Sequence, residues 1–443
     1  MPISAQATET IRASLDNVTS DPKSGLQGLV FVSVDKNGKT LASHASGKRS
    51  LTSDDPMTMD TVFWIASCTK HIVSMACLQL VEQGRLSLDD PEALYKLCPE
   101  IEKVKVLQDG KLVDRQGDIT LRMLLSHTAG FGYDIFNQKL ADYGRAGGNG
   151  IKGVGYDVFS GDERDFLSQP LVNQPGTAWE YGINIDWAGI VLQRATGMTL
   201  NDYCQENIFE PLGLKDISFF PTQHMRDNLA TMLQRTPSGE TLERDHLYRR
   251  ALLASANDEK KRFFNSGGGG AFATPTDYCQ LLATLLNEGV SPTTGKRILK
   301  KETVDSMWEN QIPQFPDFAR QTLAPSKLTL ANPLPEFYPQ AGNPPQGWGL
   351  SFFLTIQEGE TGRGKNTAWW AGISNQFWWC DREKGVAGML CGQILPFGDM
   401  EVFGQWVACE KAIYDGLESR EGVASLTPAF QEMGLSETGV VSC

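Results

Sequence analysis

Segments with strand character lie at both ends of this chain, and a long stretch of helical spacing separates them. Apolar Leu29 to Val34, a turn at Asp35 to Lys39 and an extended stretch to His44 read as a β-hairpin, with Asn37-Gly38 suited to a turn of positive φ. Strand-like runs return only at Gly349 to Thr355, Thr367 to Gly372, Gln376 to Cys380 and Val386 to Ile394, the last two joined by a turn at Asp381 to Gly385. Between about 90 and 310 the chain reads as helices and loops, including Thr120 to Ser126, Asp186 to Thr196, Leu200 to Phe209 and Pro275 to Glu288. One helix precedes the hairpin, and another is expected from about Met400 to Glu418. Strands, helices, strands, helix is an order in which both chain ends build one sheet and the helical part is an insertion between its strands. Pro313 to Pro345, rich in proline and aromatics, reads as an ordered irregular loop.

Composition removes several classes of function. The formal charge is −13 and no Lys/Arg run reaches five residues, so the electrostatic footprint for nucleic acid or anionic membrane is missing. Residues 1–20 contain no apolar core of a secretory signal, and no stretch of about 18 apolar residues follows. The nine cysteines show no C-x-x-C and fall mostly in apolar runs, which suits buried reduced thiols and a cytoplasmic protein. The five histidines are scattered and no H-E-x-x-H occurs, so neither a metal nor another cofactor is expected.

A serine becomes a nucleophile when a base removes its proton, and a buried neutral lysine one helical turn away can do so. Three S-x-x-K copies occur: Ser20/Lys23, Ser33/Lys36 and Ser67/Lys70. Pro22 interrupts the first, and the second lies in a strand, where residues three apart face opposite sides. Ser67-Cys68-Thr69-Lys70 alone opens a long helix, with Ile72, Met75, Ala76, Leu78, Leu80 and Val81 apolar and Gly84 placed to end it. The helix start offers free N–H groups, so the Ser67 N–H is a candidate oxyanion donor. By itself the motif equally describes a serine cap with a solvated lysine.

Further segments resolve that ambiguity through resemblance. Thr61 to Pro91, Ile119 to Asp134 (ITLRMLLSHTAGFGYD) and Pro175 to Gly197 (PGTAWEYGINIDWAGIVLQRATG) resemble, in order and rough spacing, the active-site serine β-lactamases, penicillin-binding proteins and family VIII carboxylesterases. The resemblance implies a serine β-lactamase-like (transpeptidase) α+β fold, an antiparallel sheet flanked by helices with an inserted mostly helical subdomain. It implies one catalytic unit over 1–418, with a sheet part (about 1–74 and 345–418), a helical part (about 75–312), the loop 313–345 and a tail at 419–443. Tyr181 matches the family's general base, with Lys70 expected to lower its pKa. His127 matches a structural position, and no G-x-S-x-G supports a Ser/His/Asp triad. Trp370-Ala371-Gly372 matches the W-x-G version of the sheet-edge motif, with the Ile373 N–H as second oxyanion donor and Gly372 admitting substrate. Gly148-x-Gly150-x-x-Gly153 is no dinucleotide fingerprint, since no strand precedes it, and Gly267 to Gly270 resembles the family's G-G-hydrophobic segment.

Within the superfamily, Trp179, Tyr181, Gly182, Asn184, Asp186, Trp187, Ala188, Gly189 and the pair Ser374-Asn375 resemble the fungal lovastatin acyltransferase group. Ile183 stands where β-lactamases carry the asparagine of Y-A/S-N, which favours esters and thioesters over lactams. Ala371 and Ile373 replace glycines of the acyltransferase group. The resemblance implies a serine acyltransferase taking a small-molecule acyl donor, carried on a carrier protein or CoA, and an alcohol of a natural product, with Tyr133, Trp370, Gly372 and Asn184 binding substrate. A family VIII-type carboxylesterase is the first alternative, followed by a β-lactamase or D-Ala-D-Ala peptidase and a non-catalytic relative. Tyr133 and the loop from Pro313 to Trp348 are expected to form an aromatic acceptor pocket.

Overall fold

The computed structural model describes residues 3–148, 152–336, 338 and 340–417. Both ends of the chain meet in one seven-stranded sheet. Its strands are β1 (Gly28–Asp35), β2 (Thr40–Gly47), β3 (Gln346–Trp348), β4 (Phe353–Thr355), β5 (Thr367–Gly372), β6 (Gln376–Asp381) and β7 (Val386–Cys391), in the order β3-β4-β5-β6-β7-β1-β2. Every pairing is antiparallel, and β1 joins the C-terminal strands through β7, with Val30 opposite Cys391 and Asp35 opposite Val386. At the β1–β2 turn the Asp35 carboxylate accepts the N–H groups of Asn37 and Lys39, and Gly38 takes φ +74°.

The principal helices are α1 (Ala5–Ser20), α2 (Thr69–Glu82), α3 (Asn184–Thr196), α4 (Pro275–Leu286) and α5 (Met400–Gly416). Along β6 the pleat sends successive rings to opposite sides. Phe377 stacks on Trp406 of α5 at 4.7 Å, and Trp378 lies 4.9 Å from His71 of α2 and 6.3 Å from Tyr278 of α4. β1, β5, β6 and β7 are buried along their whole length, as strands covered on both faces must be. Gly84 ends α2 as expected: φ is +67°, Gly84 N–H donates to Val81 O, and Arg85 N–H reaches back to Leu80 O.

Several sequence expectations shift. The run Gly349 to Thr355 is not one strand: residues 349–352 make a sharp reversal between β3 and β4, and only Phe353–Thr355 is extended. Ser351 sits at φ +79°, and a Cβ on Gly349 would lie 2.2 Å from Met307 O. Val386 to Ile394 divides as well, since Ile394–Leu395 leaves the sheet to pair with Met232–Arg235. The inserted part is not purely helical. It contains the hairpin of Met232–Arg235 and Thr241–Arg244, and Phe63–Trp64, Ile217–Ser218 and Phe272–Ala273 form a second small sheet, too short to show alternation. The regular helix from Leu200 ends at Cys204 and continues as a wider turn over Gln205–Phe209. The described residues between 313 and 345 contain no helix and no strand of the sheet. The tail 419–443, with Glu418, lies outside the described residues. No helix among the described residues is long and apolar enough to cross a membrane.

Candidate active site

Phe63–Trp64 leads into a tight turn, Ala66–Cys68, that feeds α2. The turn is pinned on several sides. Trp64 N–H donates to Gln393 Oε1, Ile65 N–H to Ala271 O, and Thr69 Oγ1 both donates to Ala66 O and accepts from Ala271 N–H. Ala66 is held at φ +45°, a conformation costly for a side chain with a Cβ and tolerated where surroundings enforce it. Ser67, at the middle of that turn, lines an open cavity between sheet and helical part.

Lys70 lies one turn along, behind Ser67 and sealed from solvent. Its Nζ donates to Ser67 Oγ at 3.0 Å, to Gly268 O at 2.6 Å and to Tyr133 Oη at 3.3 Å. Burial disfavours the ammonium and brings it down to about 7, against the pull of the nearby Asp186 carboxylate. A substantial neutral fraction is therefore available near neutral pH.

Tyr181 faces the same cavity and lies in hydrogen-bonding reach of Ser67, while Trp370 Nε1–H donates to its hydroxyl oxygen at 3.1 Å. Lys70 does not lower this phenol as the sequence reading expected. Its Nζ lies over the Tyr181 ring, 4.7 Å from the centroid, and burial pushes the hydroxyl above its ordinary range despite the bonds from Ser67 and Trp370. Tyr181 is thus a neutral phenol able to pass a proton, and Lys70 is the group whose ionisation suits a base.

The remaining expected residues divide. Tyr133, Trp370 and Ile373 line the cavity, and Trp370 rests edge-on against buried Trp348 at 4.6 Å. Asn184 does not. The first turn of α3 carries it into the interior, where its Nδ2 meets His127 Nδ1 and Phe131 O, both at 3.0 Å, so it ties segments together instead of meeting substrate. Gly372 also faces away from the cavity. A Cβ there would lie 2.3 Å from Gln376 Oε1 and 2.7 Å from Ile65 O, so glycine lets β5 close against the nucleophile turn. His127, at φ +57°, is enclosed by Trp179, Tyr181 and Trp348, and burial with the nearby Lys70 charge holds it well below its usual range. The loop supplies Phe318, Ala319 and the run Gln321 to Ala324 to the cavity wall, whereas Trp348 lies beneath it.

Asp186 is the residue whose part the sequence reading missed. Fully buried on α3, it accepts Ser266 Oγ–H, Gly268 N–H at 3.0 Å and Tyr133 Oη–H at 3.3 Å. It therefore holds two of the three oxygens that surround the Lys70 ammonium. Burial raises its own carboxyl, and Lys70 with these hydrogen bonds pulls it back. An acid in the apolar run IDWAGIVL was the available signal.

A serine on a pinned turn, a desolvated lysine behind it and a sheet edge opposite define the serine β-lactamase-like enzymes. Residues 17–400 match the Beta-lactamase family model, and the chain belongs to that family. It is 31% identical over 389 residues to lovastatin esterase of Penicillium rubens, covering 85% of this chain and 91% of that protein. It is 30% identical over 394 residues to monacolin J acid methylbutanoyltransferase of Aspergillus terreus, covering 84% and 88%. Unliganded simvastatin synthase of Aspergillus terreus superposes with a TM-score of 0.74 at 27% identity, over 93% of this chain and 98% of that one. The chain is an enzyme of this acyltransferase and esterase branch.

Proposed function

We propose that the protein is a serine acyltransferase that moves an acyl group from a thioester or ester to an alcohol of a natural product in secondary metabolism. Ser67 Oγ attacks the donor carbonyl as its proton passes to neutral Lys70, and the N–H groups of Ser67 and Ile373 receive the oxyanion. The tetrahedral intermediate collapses, the C–S or C–O bond breaks, and Tyr181 gives its proton to the departing thiol or alcohol while the proton held by Lys70 replaces it, which leaves Lys70 neutral again. The acceptor hydroxyl then loses its proton through Tyr181 to Lys70, attacks the acyl-enzyme, and Ser67 recovers its proton on release. The observation that carries this reading is the desolvated Lys70 at 3.0 Å from Ser67 Oγ.

The donor is a small-molecule thioester, carried on CoA or an acyl carrier protein, and the enzyme works in the cytoplasm, in keeping with eight buried free cysteines among the described residues. A second reading, ester hydrolysis with water as acceptor, is favoured by the relative named lovastatin esterase. Thiol release from a short acyl thioester separates the two. A transferase releases about one equivalent and then waits for an alcohol, whereas rapid steady release without any alcohol contradicts the transferase reading.

A further inference from the structure

The cavity wall is unusual in its charge. Aromatic rings dominate it, among them Trp64, Tyr133, Trp179, Tyr248, Phe318 and Trp370, and its uncharged polar side chains include Ser67, Ser266, Gln321 and Thr322. Among the described residues, no lysine, arginine or histidine lines it, and its single ionisable acid is Glu180. The cations nearest along the chain are already engaged. Lys70 donates to three oxygens behind Ser67, Arg320 pairs with Asp317 and bonds Pro344 O, Lys327 pairs with buried Asp134 at 2.8 Å, and Arg250 donates to Ser160 O. A carboxylate brought into such a cavity loses its hydration and finds no opposite charge to replace it.

We propose that the acceptor site of this enzyme selects an uncharged alcohol and discriminates against one that bears a carboxylate. The proposal rests on the acyltransferase reading for the name acceptor, but the selectivity is a property of the cavity alone. It separates this chain from its relative named for monacolin J acid, whose named acceptor carries an acid. The class of reaction that prepares the natural acceptor must then leave any acid group esterified, lactonised, amidated or absent.

Binding tests this without requiring turnover. Monacolin J acid and its primary amide, which is isosteric with the carboxylate, are titrated at pH 7.5 into the full-length Ser67→Ala protein by calorimetry, with quenching of the cavity tryptophans as a second readout. The expected result is a Kd for the amide at least about tenfold below that for the acid. Gln321→Arg places a cation on the exposed rim of the cavity and should narrow the ratio chiefly by strengthening the acid. Equal or tighter binding of the acid overturns the inference, as does an amide that fails to bind at concentrations where the acid does. Failure of both probes to bind also counts against it, because the neutral polycyclic form would then not be accepted. The acyltransferase reading fails separately, by absence of an acyl adduct on Ser67 of the active protein with a short thioester.

Discussion

In the proposed mechanism Lys70 carries the chemistry of this site, because burial makes an ammonium expensive where Ser67 needs a base. Its depressed ionisation sets a direction: below about 7 Lys70 is protonated and cannot accept the Ser67 proton. Acylation by a thioester should therefore rise with pH through about 7, as rapid-quench rates would show. Asp186→Asn removes the carboxylate that supports the ammonium, so the ascending limb should move to lower pH. The plateau rate should fall as well, since Ser266 and Gly268 bond to one carboxylate oxygen and Tyr133 to the other, and an amide keeps only one acceptor oxygen. A limb that stays in place would refute the electrostatic part assigned to Asp186. Lys70→Ala and Tyr181→Phe should each lower acylation on the order of 10²–10⁴-fold in the same assay. Ser67, Lys70 and Tyr181 were legible through family-like motifs. Asp186 was not, because its importance lies in contacts with Ser266, Gly268 and Tyr133, far from it in sequence.

At the scale of elements, β5 and the turn Ala66–Cys68 must approach closely for Ile373 and Ser67 to line one cavity. Gly372 permits the approach, and Gly372→Ala should destabilise the protein by about 1–3 kcal/mol, read from urea unfolding, and slow acylation as the turn is displaced. The outer sheet face has its own requirement. Arg363 donates to Glu410 of α5 through Nε at 2.5 Å and Nη2 at 2.7 Å, both side chains fully enclosed, with the guanidinium 5.0 Å above the Trp406 ring. Glu410→Gln leaves a buried cation unpaired and should cost about 3–5 kcal/mol in the same measurement. The motif W-x-G pointed to the right strand edge for a different reason, since Gly372 contacts the nucleophile turn and not the cavity. The direction a glycine faces depends on strand register, which local sequence does not reveal. Asn184, expected from the resemblance to bind substrate, is turned inward by the start of α3 to His127 and Phe131.

At the scale of the whole molecule, the hairpin at one end and the strand runs at the other announced a sheet closed by distant parts of the chain, and β1 against β7 is that closure. The small sheets at 63–64, 217–218 and 272–273 escaped notice because two-residue strands carry no periodicity. We propose that residues 3–417 form one unit, because the cavity is walled by the sheet, the helical part and the loop together. Tryptophan fluorescence, with rings such as Trp378 in the sheet and Trp187 in the helical part, and far-UV dichroism, which reports the backbone, should then follow one coincident transition, and two separated transitions would contradict a single unit. The account as a whole stands on Ser67 as the nucleophile. Its most direct test is intact-protein mass spectrometry, with peptide mapping, after brief exposure to a short acyl thioester. The predicted result is one acyl mass on Ser67 that is absent from Ser67→Ala and strongly delayed in Lys70→Ala. An adduct that persists in Ser67→Ala, or none on the unaltered protein, would contradict it.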